Sequence, residues 1–176
     1  MHNQSKGEQE KIKLEHEAAK LFMRAYEKNT GHEIRHIWHN KPRKPDTSCM
    51  LGGEHLDMEI AHLYGSEVEA MKLLGKELPE KSRLDLHLLV HSTDTNERLV
   101  LALNLILENK SKKHYRSSRV WLIIRNANPE WDAQIIKNMV SRITLPSSHS
   151  FDQIWIVGDM QGESGIVCLY QSSARE

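Results

Sequence analysis

A chain of 176 residues has room for one sizeable core, so a single domain over residues 1–176 with polar tails is expected. Lys plus Arg and Asp plus Glu both number 24, and a net charge of zero excludes binding driven by whole-chain charge, leaving any nucleic-acid contact to local patches. Cys49 and Cys168 form neither a CxxC pair nor a disulfide framework, and neither a leader-like start nor an apolar run near about 18 residues is present, so a soluble cytoplasmic protein is expected.

In chain order, Lys6 to Lys28 has helical periodicity, with Leu14, Ala18, Ala19, Leu21, Phe22, Ala25 and Tyr26 on one stripe and Asn29-Thr30-Gly31 as its stop. Glu15 falls inside that stripe, and an inward carboxylate needs a partner. Residues 33–38 alternate, with Ile34, His36 and Trp38 against Arg35, Ile37 and His39, and predict a strand. Pro42 and Pro45 interrupt the chain before an extended run opening at Asp46, and Gly52-Gly53 turns it into a strand from Glu54 to His62; the 33–38 and 54–62 strands are expected to form a hairpin. Gly65-Ser66 predicts a turn and N-cap for a helix over 66–75. Residues 84–91 fit a strand or a helix almost equally. Beyond them come a helix from Thr95 to Lys113, a strand from Val120 to Ile124, a helix opening at Pro129, and strands over Ile154–Val157 and Gly165–Tyr170. Apolar strands flanked by helices predict a buried sheet with helices on both faces. The four tryptophans fall in periodic segments and read as core.

The segment from Pro45 to Glu59 carries the chemistry. Asp57 and Glu59 lie two apart on a strand and share a face, with Leu56, Met58 and Ile60 on the other. With Asp46 they make three acids that can converge, and clustered carboxylates repel unless a cation is present, which suits Mg2+ or Mn2+. The plainer alternative makes Asp57 and Glu59 the solvated side of a half-exposed strand and Asp46 a turn residue after Pro45.

The order helix with an inward Glu, strand, Pro-Asp hairpin, acidic strand, helix, strand resembles the PD-(D/E)XK nuclease superfamily. The resemblance implies an α/β fold, a restriction-endonuclease-like mixed central sheet flanked by helices on both faces. Glu15 is similar to the family's helix acid, Pro45-Asp46 to its signature dipeptide, and Asp57 or Glu59 to its strand acid. With Asp57 as strand acid, Glu59 occupies the family's lysine position; with Glu59, Ala61 does, and the basic role moves elsewhere or is absent. Lys72 is a relocated candidate, and Lys110, Lys113 and Tyr115 fit a loose version of the family pattern ahead of the 120–124 strand.

The implied activity is metal-dependent hydrolysis of nucleic-acid phosphodiester bonds. Asp46, Asp57 and Glu59 are the expected Mg2+ or Mn2+ ligands, and Glu15 joins them as a catalytic-site residue. Lys41, Arg43 and Lys44 are expected to contact nucleic acid, DNA before RNA. A second copy of the chain, as a homodimer, is also among the expected partners, and a membrane is not. The alternative is a catalytically inactive nuclease-fold module that binds nucleic acid or protein. A zinc site built from the 11 histidines lacks HExxH or Cys/His spacing.

Overall fold

In the computed structural model, which describes residues 5–41, 45–65, 80, 84 and 94–173, the chain opens with helix α1, Lys6–Thr30. The Ser5 hydroxyl caps its start by accepting the Glu8 N–H at 3.3 Å. Gly31 ends it in the left-handed conformation at φ 72°, donating its N–H to the Glu27 carbonyl at 2.8 Å.

Strands β1 (Ile34–His39), β2 (Thr47–Leu51), β3 (Glu54–Leu63), β4 (Val120–Asn126), β5 (Gln153–Val157) and β6 (Ile166–Gln171) form one mixed sheet in the order 1-2-3-4-5-6. The pairs β3–β4 and β4–β5 are parallel, and the other three are antiparallel. Parallel neighbours need a crossover. Helix α2 (Thr95–Ser111) lies within the connection from β3 to β4, and helix α3 (Ala133–Met139), extended by the 3-10 turn Val140–Arg142, within that from β4 to β5.

Side-chain alternation along β3 divides the core. Leu56, Met58 and Ile60 cluster with Ala18, Ala19, Phe22 and Tyr26 of α1 and with Trp121 and Ile123. Ala61 and Leu63 cluster with Leu99, Leu103 and Leu107 of α2, Ile136 of α3, and Leu122 and Ile124. Phe22 and Tyr26 meet Trp121 and Trp155 with ring centroids 5.4–6.2 Å apart, pairs that each add roughly 0.5–1.5 kcal/mol beyond their burial. All seven residues of β4 are buried, including Asn126, whose Nδ2 donates to the carbonyls of Asn128, Trp131 and Gly158 at 2.8–3.1 Å. Among the described residues no helix is long and apolar enough to cross a membrane.

Four expectations change. Strand β1 does not pair with the 54–62 strand; β2 lies between them, so the tight hairpin at Gly52-Gly53 joins β2 to β3. The predicted alternation of β1 breaks at His36, whose φ of 61° makes a bulge between Arg35 and Trp38; Ile34 and Ile37 then both face the α1 cluster, and Trp38 is left 38% exposed rather than in the core. Pro129 does not open α3: Asn128 Oδ1 accepts the Glu130 N–H in a turn, and the cap is Asp132, which accepts from Ile135. Met23 is buried in α1, while Leu14, Leu21 and Ala25 are only partly so. The predicted 66–75 helix, Lys72, the 85–91 part of the ambiguous segment, and Arg43 and Lys44 lie outside the described residues.

Candidate active site

The antiparallel register of β2 and β3 pairs Thr47 with Met58 and Ser48 with Asp57. One step further along the same count, Asp46 comes beside Glu59. Its Oδ2 accepts the buried Ile60 N–H at 2.9 Å, so the carboxylate extends the ladder just past the end of β2. Asp46 and Glu59 are both buried, at 7% and 2% exposure. Burial, and then the Glu59 charge, push the Asp46 carboxyl up to about 6, against the Ile60 amide, Lys110 and Lys11.

The last turn of α2 and the turn that follows it deliver the cations. Lys110 Nζ donates to Glu59 Oε1 at 2.7 Å and lies 3.4 Å from the Ile60 carbonyl, while Lys113 Nζ is 3.4 Å from the same Oε1. Burial works to raise the Glu59 carboxyl, yet Lys110 and then Lys113 hold it below the usual range. The Lys113 ammonium is itself pulled down, first by burial and then by Lys110. The Tyr115 phenol is pushed up by burial and by the Glu59 and Asp46 carboxylates.

Asp57 shares a face with Glu59 but belongs to a separate network. Its Oδ1 accepts from Ser48 Oγ at 2.5 Å and meets His55 Nε2 at 2.6 Å, and its Oδ2 accepts from Ser117 Oγ at 2.5 Å. Asn40 Nδ2 in turn donates to Ser48 Oγ at 2.7 Å. Burial opposes ionisation here, but Ser117, Ser48 and His55 overcome it and keep the carboxyl below its ordinary range. Glu15 is buried in α1 with Lys11 Nζ 3.8 Å from its Oε1, and Lys11 is also one of the charges acting on Asp46. Glu15 therefore connects to the Asp46–Glu59 pair through Lys11. Lys41 is exposed just past the end of β1.

Two observations make the pair suited to a divalent cation. Two carboxylates share one buried corner, which raises one of them, and Glu59 Oε2 is buried without a hydrogen-bond partner among the described residues. No group of three His, Cys, Asp or Glu side chains with metal-holding geometry occurs among those residues. A cation here would have two carboxylates and fill its remaining positions with water or phosphate oxygen, an arrangement that Mg2+ tolerates.

The chain matches no protein-family model, curated protein or solved structure.

The site thus rests on its geometry. The sequence points to Asp46, Glu59 and Glu15, and gives Lys110 and Lys113 only a place in a loose family pattern, with no carboxylate assigned to them. Their one signal is spacing: Lys110 in the last turn of an amphipathic helix and Lys113 three residues on, just past its end. Ser48 and Ser117 come to Asp57 only through the cross-strand register and the loop after α2, whereas His55, weighed with His62 only for zinc, lies two residues before Asp57 on the same face of β3. His62, one of the residues weighed for zinc, stacks on Tyr64 with ring centroids 6.2 Å apart.

Proposed function

We propose that this chain is a metal-dependent phosphodiester hydrolase of the cytoplasm, built on a restriction-endonuclease-like sheet with helices on both faces. The observation that carries the reading is the buried Asp46–Glu59 pair closed by Lys110 at 2.7 Å. The β2–β3 register favours Glu59 over Asp57 as the strand acid, because Glu59 is the residue beside Asp46. Ala61 then occupies the position two residues on, and Lys110 supplies from α2 the ammonium that the strand lacks.

In this reading Asp46 and Glu59 hold Mg2+ or Mn2+, which when bound polarises a phosphoryl oxygen and acidifies a water. Lys110 shares Glu59 with the cation and presents its remaining N–H groups toward the Ile60 carbonyl, where it orients a water or a phosphate oxygen. Lys113, with its lowered pKa, releases a proton more readily than an exposed lysine does. Asp57, with both oxygens engaged, fixes the strand rather than binding metal, and Glu15 sets the position of Lys11. Lys41 offers a phosphate contact.

The test uses the purified chain with plasmid and single-stranded DNA in Mg2+ or Mn2+. Asp46→Ala, Glu59→Ala and Lys110→Ala are each expected to lower cleavage at least a hundredfold, roughly the loss seen when a single electrostatic group leaves an active site. Variants that cleave as the wild type does would refute the assignment.

Ala61 gives specific support to a second reading, an inactive module in which Lys110 and Lys113 merely neutralise Glu59. It predicts nucleic-acid binding that weakens with salt, without turnover.

A further inference from the structure

Trp38 is an anomaly in this fold. The other described tryptophans are buried or partly buried in the two core clusters, whereas the β1 bulge at His36 turns Trp38 outward on an edge strand. A single exposed apolar side chain is ordinary on a protein surface, and what sets Trp38 apart is the group that holds it. Its neighbour is not incidental either: the Trp38 ring packs edge-on against His55, with centroids 5.4 Å apart and planes at 72°. His55 keeps 56% of its side chain exposed while its Nε2 is held at 2.6 Å by Asp57. Ser48 and Ser117 pin Asp57 in turn. A buried carboxylate with three partners therefore fixes one exposed imidazole against one exposed indole.

The register places this pair relative to the carboxylates. Trp38 pairs with Ser48 and Ser48 with Asp57, so the three share a face of the sheet. His55 and Glu59 lie on that same face by alternation. Glu59 lies four residue steps along the strand from His55, about 13 Å at roughly 3.3 Å per residue. A stacked strand advances about 3.4 Å per nucleotide, so a strand with a phosphate at Asp46–Glu59 reaches Trp38 a few nucleotides away. Bases inside a duplex present no free face there, and unpaired ones do.

We infer that Trp38 and His55 form a stacking platform for an unpaired nucleobase, and that the preferred substrate is single-stranded nucleic acid, or a duplex with a single-stranded arm, lying along β3 toward the Asp46–Glu59 pair. The inference rests on the hydrolase reading only for the direction of the strand; the platform itself is a binding feature. Ser48, Asp57 and Ser117 act as positioning residues for His55.

The experiment measures binding of the full-length chain to a fluorescent oligothymidylate and to a blunt duplex of equal length, in EDTA so that no cleavage occurs. Trp38→Ala is expected to weaken single-strand binding roughly five- to a hundredfold and duplex binding less than about twofold, with Trp38→Phe retaining most of the affinity. Oligothymidylate should also quench tryptophan emission in the wild type, and less so in Trp38→Phe. Thermal melting of each variant confirms folding, and Trp38→Phe keeps the test decisive should Trp38→Ala unfold. Equal single-strand affinity in wild type and Trp38→Ala overturns the platform, as does an equal loss on duplex, or a mass shift showing that Trp38 instead holds two copies together. Quenching and binding that persist in a wild type unable to cleave support the platform and overturn the hydrolase reading alone. Cleavage indifferent to Trp38 overturns only the platform.

Discussion

Replacing Lys110 with Met, which retains most of the aliphatic stem and removes the charge, tests the electrostatics of the site most directly. The Glu59 side chain is 3% exposed and that of Lys110 18%, so the pair is little screened by solvent. Removing one partner of a buried pair leaves an uncompensated charge and costs about 3–5 kcal/mol. Lys113, 3.4 Å from the same oxygen, offsets part of this, and about 2–3 kcal/mol is the expected loss at pH 8. That is a sizeable fraction of the roughly 5–15 kcal/mol by which domains are stable.

The pH dependence carries the sharper test. In the wild type the Glu59 carboxyl is depressed in the folded state, so its contribution is present above the unfolded carboxylate range and lost as pH falls through the lower folded value. In Lys110→Met, burial and Asp46 act with less opposition and the Glu59 carboxyl rises, so the variant loses stability as pH climbs from 4 to 8. The stability gap, measured by urea unfolding across that interval, should therefore widen with pH. In a double-mutant cycle, Glu59→Gln with Lys110→Met should cost less than the two single changes summed, by about 1–3 kcal/mol. A gap that stays flat from pH 4 to 8, together with additive single costs, would refute the account of Lys110 as the counter-charge of Glu59.

Three further outcomes follow from the same geometry. Asp46, pushed up to about 6, holds its proton more tightly folded than unfolded, so it favours folding below its unfolded pKa and costs stability as pH rises through 6; Asp46→Asn should be about 1–3 kcal/mol more stable than wild type at pH 8, converging near pH 4, in urea titrations. Asp57→Ala should do the reverse, losing about 2–3 kcal/mol at pH 7 with the loss fading as pH falls through the depressed folded value, because Asp57 gains stability only while ionised. At Gly158 an added Cβ would meet Ser164 Oγ at 2.4 Å and the Ala133 Cβ and N at 2.7 Å, so Gly158→Ala should lower the chemical-denaturation midpoint by an amount worth about 1–3 kcal/mol, with an unchanged slope.

Periodicity made much of the scaffold legible. The inward Glu15 and the Gly31 stop follow from 3.6-residue counting, and β4 from a continuous apolar run of the kind buried strands carry. What escaped depends on information that no local window holds. The bulge at His36 is one residue in an unusual backbone state, and it alone reverses which side of β1 is buried. Pro129 suggests the start of α3 because proline suits a first helical turn, but the Asn128–Glu130 turn uses that proline before the helix begins. At the site, the carboxylates lie within one hairpin and could be found by spacing. Their register and their cations could not, since the first needs the β2–β3 pairing and the second the return of α2.

The sequence separation between Glu59 and Lys110 is 51 residues, and that distance has a kinetic meaning. A hairpin such as β2–β3 closes locally, so Asp46 and Glu59 approach early, whereas the parallel β3–β4 pair, with α2 in its crossover, must first meet the entropy of a long loop. Until that crossover closes, the two acids repel each other with no ammonium between them. The completed corner therefore waits on that crossover: its chemistry needs a long-range connection, and a chain in which only the hairpin has formed has the acids without the base.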